Sequence, residues 1–322
     1  MQADRRAAKA RSTILISGLV AGIALLAFLL VGMKGDITFT LAFRGPKALA
    51  MVLVASAIAI STVIFQTVTN NRILTPSIMG FDALYALFQT LFVFFFGIAG
   101  LAGTDPRLIF FAETALMVFF SGLLFRWLFS GVLRSLHLLL LAGVVFGGFF
   151  RSLSNFMQRV IDPNDFVVLQ DRMFANFNTV HPELLAVAAA MIAVCILVLW
   201  RMLPVLDVLS LGRETAINLG VDHKRSVMLV LVLIAVLVSV STALSGPVTF
   251  FGLLAANLAY QLTPSPRHRH VLPVAVFVAI TILLSGQTIL EHVLALDAAI
   301  GMVIEFAGGL IFILLLLKGS AR

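Results

Sequence analysis

Long uninterrupted apolar runs, such as Ile14–Met33 and Leu229–Leu244, recur along the chain and constrain its fold more than any other feature. A bilayer core offers backbone groups no water, so only helices and closed barrels satisfy themselves there. Barrel strands read as alternating segments of about 10 residues. These runs are longer and do not alternate. Charged residues make up 11% of the chain and apolar ones 61%, against roughly 25% charged in a soluble domain. The expected fold class is an all-α membrane protein.

At about 20 residues per crossing, the 322 residues accommodate ten spans. They are expected near 12–33, 47–69, 80–101, 108–130, 136–160, 183–204, 225–245, 249–263, 270–291 and 298–318, within one transmembrane domain covering 1–322. The eighth segment is too short to cross comfortably, and Gly246-Pro247 breaks the chain before it. That predicts a helix interrupted inside the protein.

Ten spans place both termini on one side, and the cations support this. Fifteen of the 22 lysines and arginines, among them Arg5, Arg6, Lys9, Arg72, Arg201, Arg213, Lys224 and Arg267, fall on the side of the termini. The positive-inside rule makes that side cytoplasmic. Most acids outside the spans, including Asp36, Asp105, Asp162 and Glu183, fall on the other. The net charge of +7 is scattered between apolar runs rather than gathered into a stripe, so it reads as topology, not nucleic-acid binding. The N-terminal apolar stretch exceeds the ~7–15 residues of a signal-peptide core and lacks a clear small-x-small cleavage site. It reads as the first membrane helix. The single Cys195 sits in an apolar run and reads as a packing residue.

Two polar connections are longer than turns. Residues 161–182 form an outer, partly helical connection with mixed charge and aromatics. Residues 205–224 form an inner connection, in which Gly212 and Gly220 bracket a short helix. That helix suits either an interfacial position or docking to a cytoplasmic partner.

Chemistry-bearing motifs are scarce. No Walker-type loop, H-E-x-x-H, CxxC or G-x-S-x-G is present. Neither a catalytic set, nor a cofactor site, nor a metal site is expected, and any ATPase must be a separate polypeptide. His268 and His270, within Arg267-His-Arg-His270, read as part of a solvated basic loop. Ionisable groups inside the spans are few, and Glu113, Glu305 and Asp82 are the carboxylates that stand out. Such groups face a bundle interior or cavity, and they leave open a proton-coupled secondary transporter as a rival reading. A lipid- or peptide-processing membrane enzyme would need a nucleophile–base pair or ligand cluster that is not seen. Gly143-x-x-x-Gly147 predicts close helix contact.

Four ordered segments together resemble the permease family of iron-siderophore, haem and vitamin B12 ABC importers. They are Arg44-Gly-Pro-Lys47; Gln66 with Asn71, Pro76 and Gly80; Leu211-Gly212 with Ala216, Leu219, Gly220 and Val221; and Gly246-Pro247 with Phe250, Gly252, Leu253, His268-Arg269 and Pro273. Gly301 and Gly308-Gly309-x2-Phe312 complete the pattern.

The resemblance implies ten helices per subunit, as in the vitamin B12 importer permease. It further implies two permease subunits around a pathway, two cytoplasmic ATPase subunits and a periplasmic or lipoprotein binding protein, in the bacterial inner membrane. The chain itself would be a non-catalytic subunit moving ferric siderophore by alternating access. Leu211, Gly212, Ala216, Leu219, Gly220 and Val221 would couple to the ATPase, where a side chain at Gly220 would hold two backbones apart. Arg44 and Lys47 would meet acidic lobes of the binding protein. Gln66, Asn71, Pro76, Gly80, Ser135, Leu139, Gly246 and Pro247 would line the pathway or its gate. Ala256-Asn257 and Tyr260 replace the family's Pro-His and a following Arg, which points away from B12 and haem. The pattern looks closer to the branch for catecholate or mixed-ligand siderophores, where the second permease subunit is often a different protein.

Overall fold

The computed structural model describes residues 2–33, 36–130, 136–293 and 299–319. Twelve α-helices follow one another: α1 (Gln2–Leu30), α2 (Ile37–Thr69), α3 (Phe81–Gly103), α4 (Pro106–Ser130), α5 (Leu136–Gln158), α6 (Pro163–Asp171), α7 (Pro182–Leu209), α8 (Arg213–Asn218), α9 (His223–Ser245), α10 (Phe251–Leu262), α11 (His268–His292) and α12 (Ile300–Gly319). A 3-10 turn, Pro76–Met79, precedes α3. Ten of the helices fall on the expected spans. Among the described residues, eight are long and apolar enough to cross a membrane, while α10 and the apolar part of α12 are shorter. At 1.5 Å per residue the 12 residues of α10 rise about 18 Å, short of the ~30 Å hydrocarbon layer.

α2 and α9 form the axis of the bundle. Both are apolar nearly all round and buried along most of their length, as a central helix must be. α2 packs against α9, α11, α7 and α10, while α1 lies along α11 with most of its surface facing outward. One connected apolar core runs from α1 to α12. A satellite cluster of Val93, Leu101 and Leu169 joins the end of α3 to α6.

α2 begins at Ile37 rather than near 47, so Arg44-Gly-Pro-Lys47 lies inside the helix. Pro46 costs one backbone donor, and long-range contacts of Arg44 and Lys47, described below, hold the helix through it. α3 breaks at Gly97 (φ 65°), where Asp165 Oδ2 accepts the Ile98 N–H at 3.4 Å. α6 opens on Pro163, with the Asp162 carboxylate accepting the Asn164 N–H, a regular N-cap.

Candidate coupling and pathway site

The connection between α7 and α9 folds into an elbow around α8. Its one buried side chain, Ala216, anchors it to the bundle. Leu211, Ile217 and Leu219 point outward, at 59%, 51% and 60% exposure. The helix ends in a two-bond cap: Val221 N–H donates to Ala216 O at 3.0 Å and Gly220 N–H to Ile217 O at 2.9 Å. This Schellman arrangement requires a left-handed residue, and Gly220 supplies it with φ +83°. Gly212 enters the elbow with φ +95°. A β-carbon at either glycine would meet no atom within 4 Å. Intramolecular packing therefore does not demand their smallness.

Behind the elbow, Asp207 on the last turns of α7 reaches the start of α11. Asp207 Oδ1 accepts the His268 backbone N–H at 2.8 Å and lies 2.6 Å from His268 Nδ1. His268 Nε2 meets Thr67 Oγ1 on α2 at 2.7 Å. His268 is buried, and so is His270, whose Nδ1 lies 2.9 Å from Ser265 Oγ. The expectation of a solvated basic loop is thus corrected. The carboxylate that receives the imidazole lies 61 residues away in sequence, beyond the reach of any local pattern. Arg72 stacks over the Tyr260 ring at 4.6 Å on the same end of the fold.

The pathway candidates gather around α2's end and the break before α10. Gln66 is buried, and its Nε2 donates to Arg72 O at 2.8 Å, closing the turn. Asn71 is exposed, and its Oδ1 accepts the Ile73 N–H. Pro76 starts the 3-10 turn and Gly80 ends it. That turn sits directly on α5: a β-carbon at Gly143 would come within 2.7 Å of Met79 Cα, and one at Gly80 within 3.1 Å of Gly147 Cα. Ser135 lies outside the described residues, as does the Leu139 side chain.

At Gly246 (φ +91°) α9 stops. The connection after α6 threads into the gap, where Asn176 N–H donates to Ser245 O at 2.8 Å and Gly301 N–H to Ala175 O at 3.0 Å. Just beyond Pro247, Thr249 Oγ1 lies 3.1 Å from Asp82 Oδ2 and 3.2 Å from Glu305 Oε1. One hydroxyl therefore joins α3, the break and α12. A cavity of about 20 Å³ beside Asp82 is lined by hydroxyls of Ser61, Thr62, Thr75 and Ser77, room for a single water.

Arg44 and Lys47 occupy the opposite end from the elbow. Arg44 Nη1 donates to the carbonyls of Val31 (2.7 Å) and Phe28 (3.0 Å), capping α1, while its Nη2 donates to His292 Nε2 at 3.1 Å. Lys47 pairs with Glu291 and donates to Asn178. Both cations therefore have partners within the chain. Arg107 and Glu183, 76 residues apart, pair at 2.9 Å and are well exposed. Among the described residues no group of three or more His, Cys, Asp or Glu is placed to hold a metal ion.

Sequence reasoning missed Asp207, Glu291 and His292. Asp207 is a lone polar residue, and Glu291-His292 an adjacent polar pair, at the end of an apolar run, the signal that could have marked them as helix-end contacts.

Residues 24–318 match the FecCD transport family. The petrobactin import system permease protein YclO of Bacillus subtilis (strain 168) is 46% identical over 284 residues, covering 88% of this chain and 90% of the relative. The petrobactin import system permease protein FatC of Bacillus anthracis is 38% identical, covering 84% and 77%. A solved inward-facing metal-chelate type ABC transporter superposes with a TM-score of 0.84 at 23% identity, covering 96% of this chain and 99% of that one. An all-helical bundle of this architecture and a family match over nearly its whole length lead to one assignment: the chain belongs to the FecCD transport family.

Proposed function

We propose that this protein is the membrane-spanning permease subunit of an ATP-driven importer that carries ferric siderophore across the bacterial inner membrane. The observation that carries the proposal is the elbow. A six-residue helix with exposed leucines and two open, left-handed glycines is built to be covered by something outside the chain. ATPase subunits seated on residues 211–221 would push on it. The Asp207–His268–Thr67 contacts would pass the displacement to α2 and α11, and alternating access would follow between two permease subunits.

The petrobactin permeases at 46% and 38% identity support a siderophore as cargo. Both termini are then cytoplasmic, as the cation distribution suggests. A second permease subunit, the same or different, completes the pathway, with Gln66, Asn71, Pro76, Gly80, Gly246 and Pro247 at its gate. A binding protein docks at the far end near Arg44 and Lys47. Glu291 already holds Lys47, so an approaching acidic lobe competes with an internal partner and gains orientation more than affinity.

The test is reconstitution of the permease pair with its ATPase and binding protein in liposomes. Import of radiolabelled iron as ferric siderophore should require ATP and persist when the proton gradient is dissipated. Uptake without the ATPase, driven by a pH gradient and lost in Glu113→Gln or Glu305→Gln, would instead establish a proton-coupled transporter.

A further inference from the structure

A cavity of about 320 Å³ lies between α3, α4, the end of α9 and the connection after α6. Its floor is buried and rich in acceptors: Gln89 is 1% exposed, Glu113 2% and Tyr85 5%. Its rim carries Asp171, Arg172 and His181, all exposed. Of the pathway candidates it touches Gly246 alone, and none of its lining belongs to the elbow or to the turn after α2.

Hydrogen bonds orient the floor. Gln89 Nε2 donates to Glu113 Oε1 at 2.7 Å and to Tyr85 Oη at 3.1 Å. Both amide protons are thereby used. The Gln89 carbonyl oxygen is left buried with no partner among the described residues. Buried acceptors are costly unless something donates to them. The Glu113 carboxyl has further acceptor sites beyond the one that Gln89 fills. The floor is short of donors. Among the described residues no cation pairs with the Glu113 carboxyl, and the one guanidinium of the lining, Arg172, sits exposed at the rim.

A group with several N–H donors and a single positive charge answers both deficits. We propose that this cavity binds a small primary ammonium group, which donates to the Glu113 carboxylate and the Gln89 carbonyl. An –NH3+ head brings three donors. The volume equals roughly ten waters at ~30 Å³ each, so the head arrives on a short organic body. That body is either a free amine or the headgroup of an aminophospholipid, whose phosphate would face Arg172.

The experiment follows the thermal unfolding of the purified full-length permease during titration with ethylammonium, tetramethylammonium or sodium chloride at matched ionic strength. Ethylammonium alone should raise Tm in a saturable way, because tetramethylammonium has no N–H. Gln89→Leu and Glu113→Gln should raise the half-saturating concentration at least about tenfold. Ala243→Phe fills the cavity while leaving the carboxylate in place, and it should abolish the shift even if Glu113→Gln does not fold. Nanodiscs of phosphatidylcholine with and without phosphatidylethanolamine separate the two sources. A lipid-borne head raises Tm only in the second and leaves nothing for ethylammonium to add. Equal shifts with all three salts, no shift with either amine source, or a shift that survives Gln89→Leu and Ala243→Phe would overturn the proposal.

Discussion

Gly220 offers a test in which conformation and bulk can be separated. Its φ of +83° belongs to the left-handed region, which costs a residue with a β-carbon about 1–2 kcal/mol. Asn tolerates that region better than Ala. No atom of the chain lies within 4 Å of a β-carbon placed there, so growing the side chain adds no internal clash. In Gly220→Ala, Gly220→Leu and Gly220→Trp the loss of stability should therefore be flat, about 1–2 kcal/mol in each, and smaller in Gly220→Asn. Affinity for the ATPase should instead fall steadily with side-chain size. Leu and Trp should lose at least about 100-fold, equivalent to about 2.7 kcal/mol. Chemical denaturation reads the first quantity, and co-purification or surface-immobilised binding of the ATPase subunit reads the second. If Gly220→Trp binds the ATPase as well as Gly220→Ala does, the elbow does not lie against that partner at Gly220.

Other perturbations address the contacts that hold the fold. Gly143→Val drives a β-carbon to within 2.7 Å of the Met79 backbone and should lower stability by about 1–3 kcal/mol in thermal unfolding. Lys47→Ala strands the half-buried Glu291 and should destabilise more than the Lys47→Ala/Glu291→Ala double variant, with a coupling of about 1–2 kcal/mol in a double-mutant cycle. Arg44→Ala removes the cap on the carbonyls of Phe28 and Val31. It should cost about 1–2 kcal/mol and raise hydrogen exchange at the end of α1. Asp207→Asn should weaken ATP-driven uptake more than expression, because the imidazole behind the elbow loses its carboxylate while the ATPase surface is untouched.

The spans were legible because a bilayer makes length and apolarity nearly sufficient conditions for a helix. The elbow was legible too, since Gly212 and Gly220 bracket α8 at a spacing only a short helix fits. Arg44-Gly-Pro-Lys47 read as a lead-in to a helix because Gly and Pro are poor helix residues. In the fold they are overruled by Glu291 and Asn178, which lie 244 and 131 residues away from Lys47. His268 was misread for the same reason. Local composition made it a basic loop, whereas Asp207 and Thr67 make it an interior joint. Residue spacing reports on neighbours along one helix, and these contacts are made between helices.

Under the proposed coupling, the polar joints would let a greasy bundle transmit a push. α2 and α11 run antiparallel and are tied twice, by Thr67–His268 near the elbow and by Lys47–Glu291 at the far end. Twenty residues of α2 separate Thr67 from Lys47, about 30 Å of helix, which matches the hydrocarbon thickness. Each tie therefore sits where water begins, and what lies between is apolar packing. α5 is held differently. Gln158 Nε2 donates to Thr90 Oγ1 at the far end, but the half nearer the elbow rests on the 3-10 turn through the close approach of Gly80, Gly143 and Gly147. Dispersion contacts of this kind are individually weak, whereas a hydrogen bond prefers one distance and direction. Under the proposed coupling, a load entering through Asp207 would meet α2 and α11 as one stiff unit, and the interface expected to yield first is the glycine seam beneath α5.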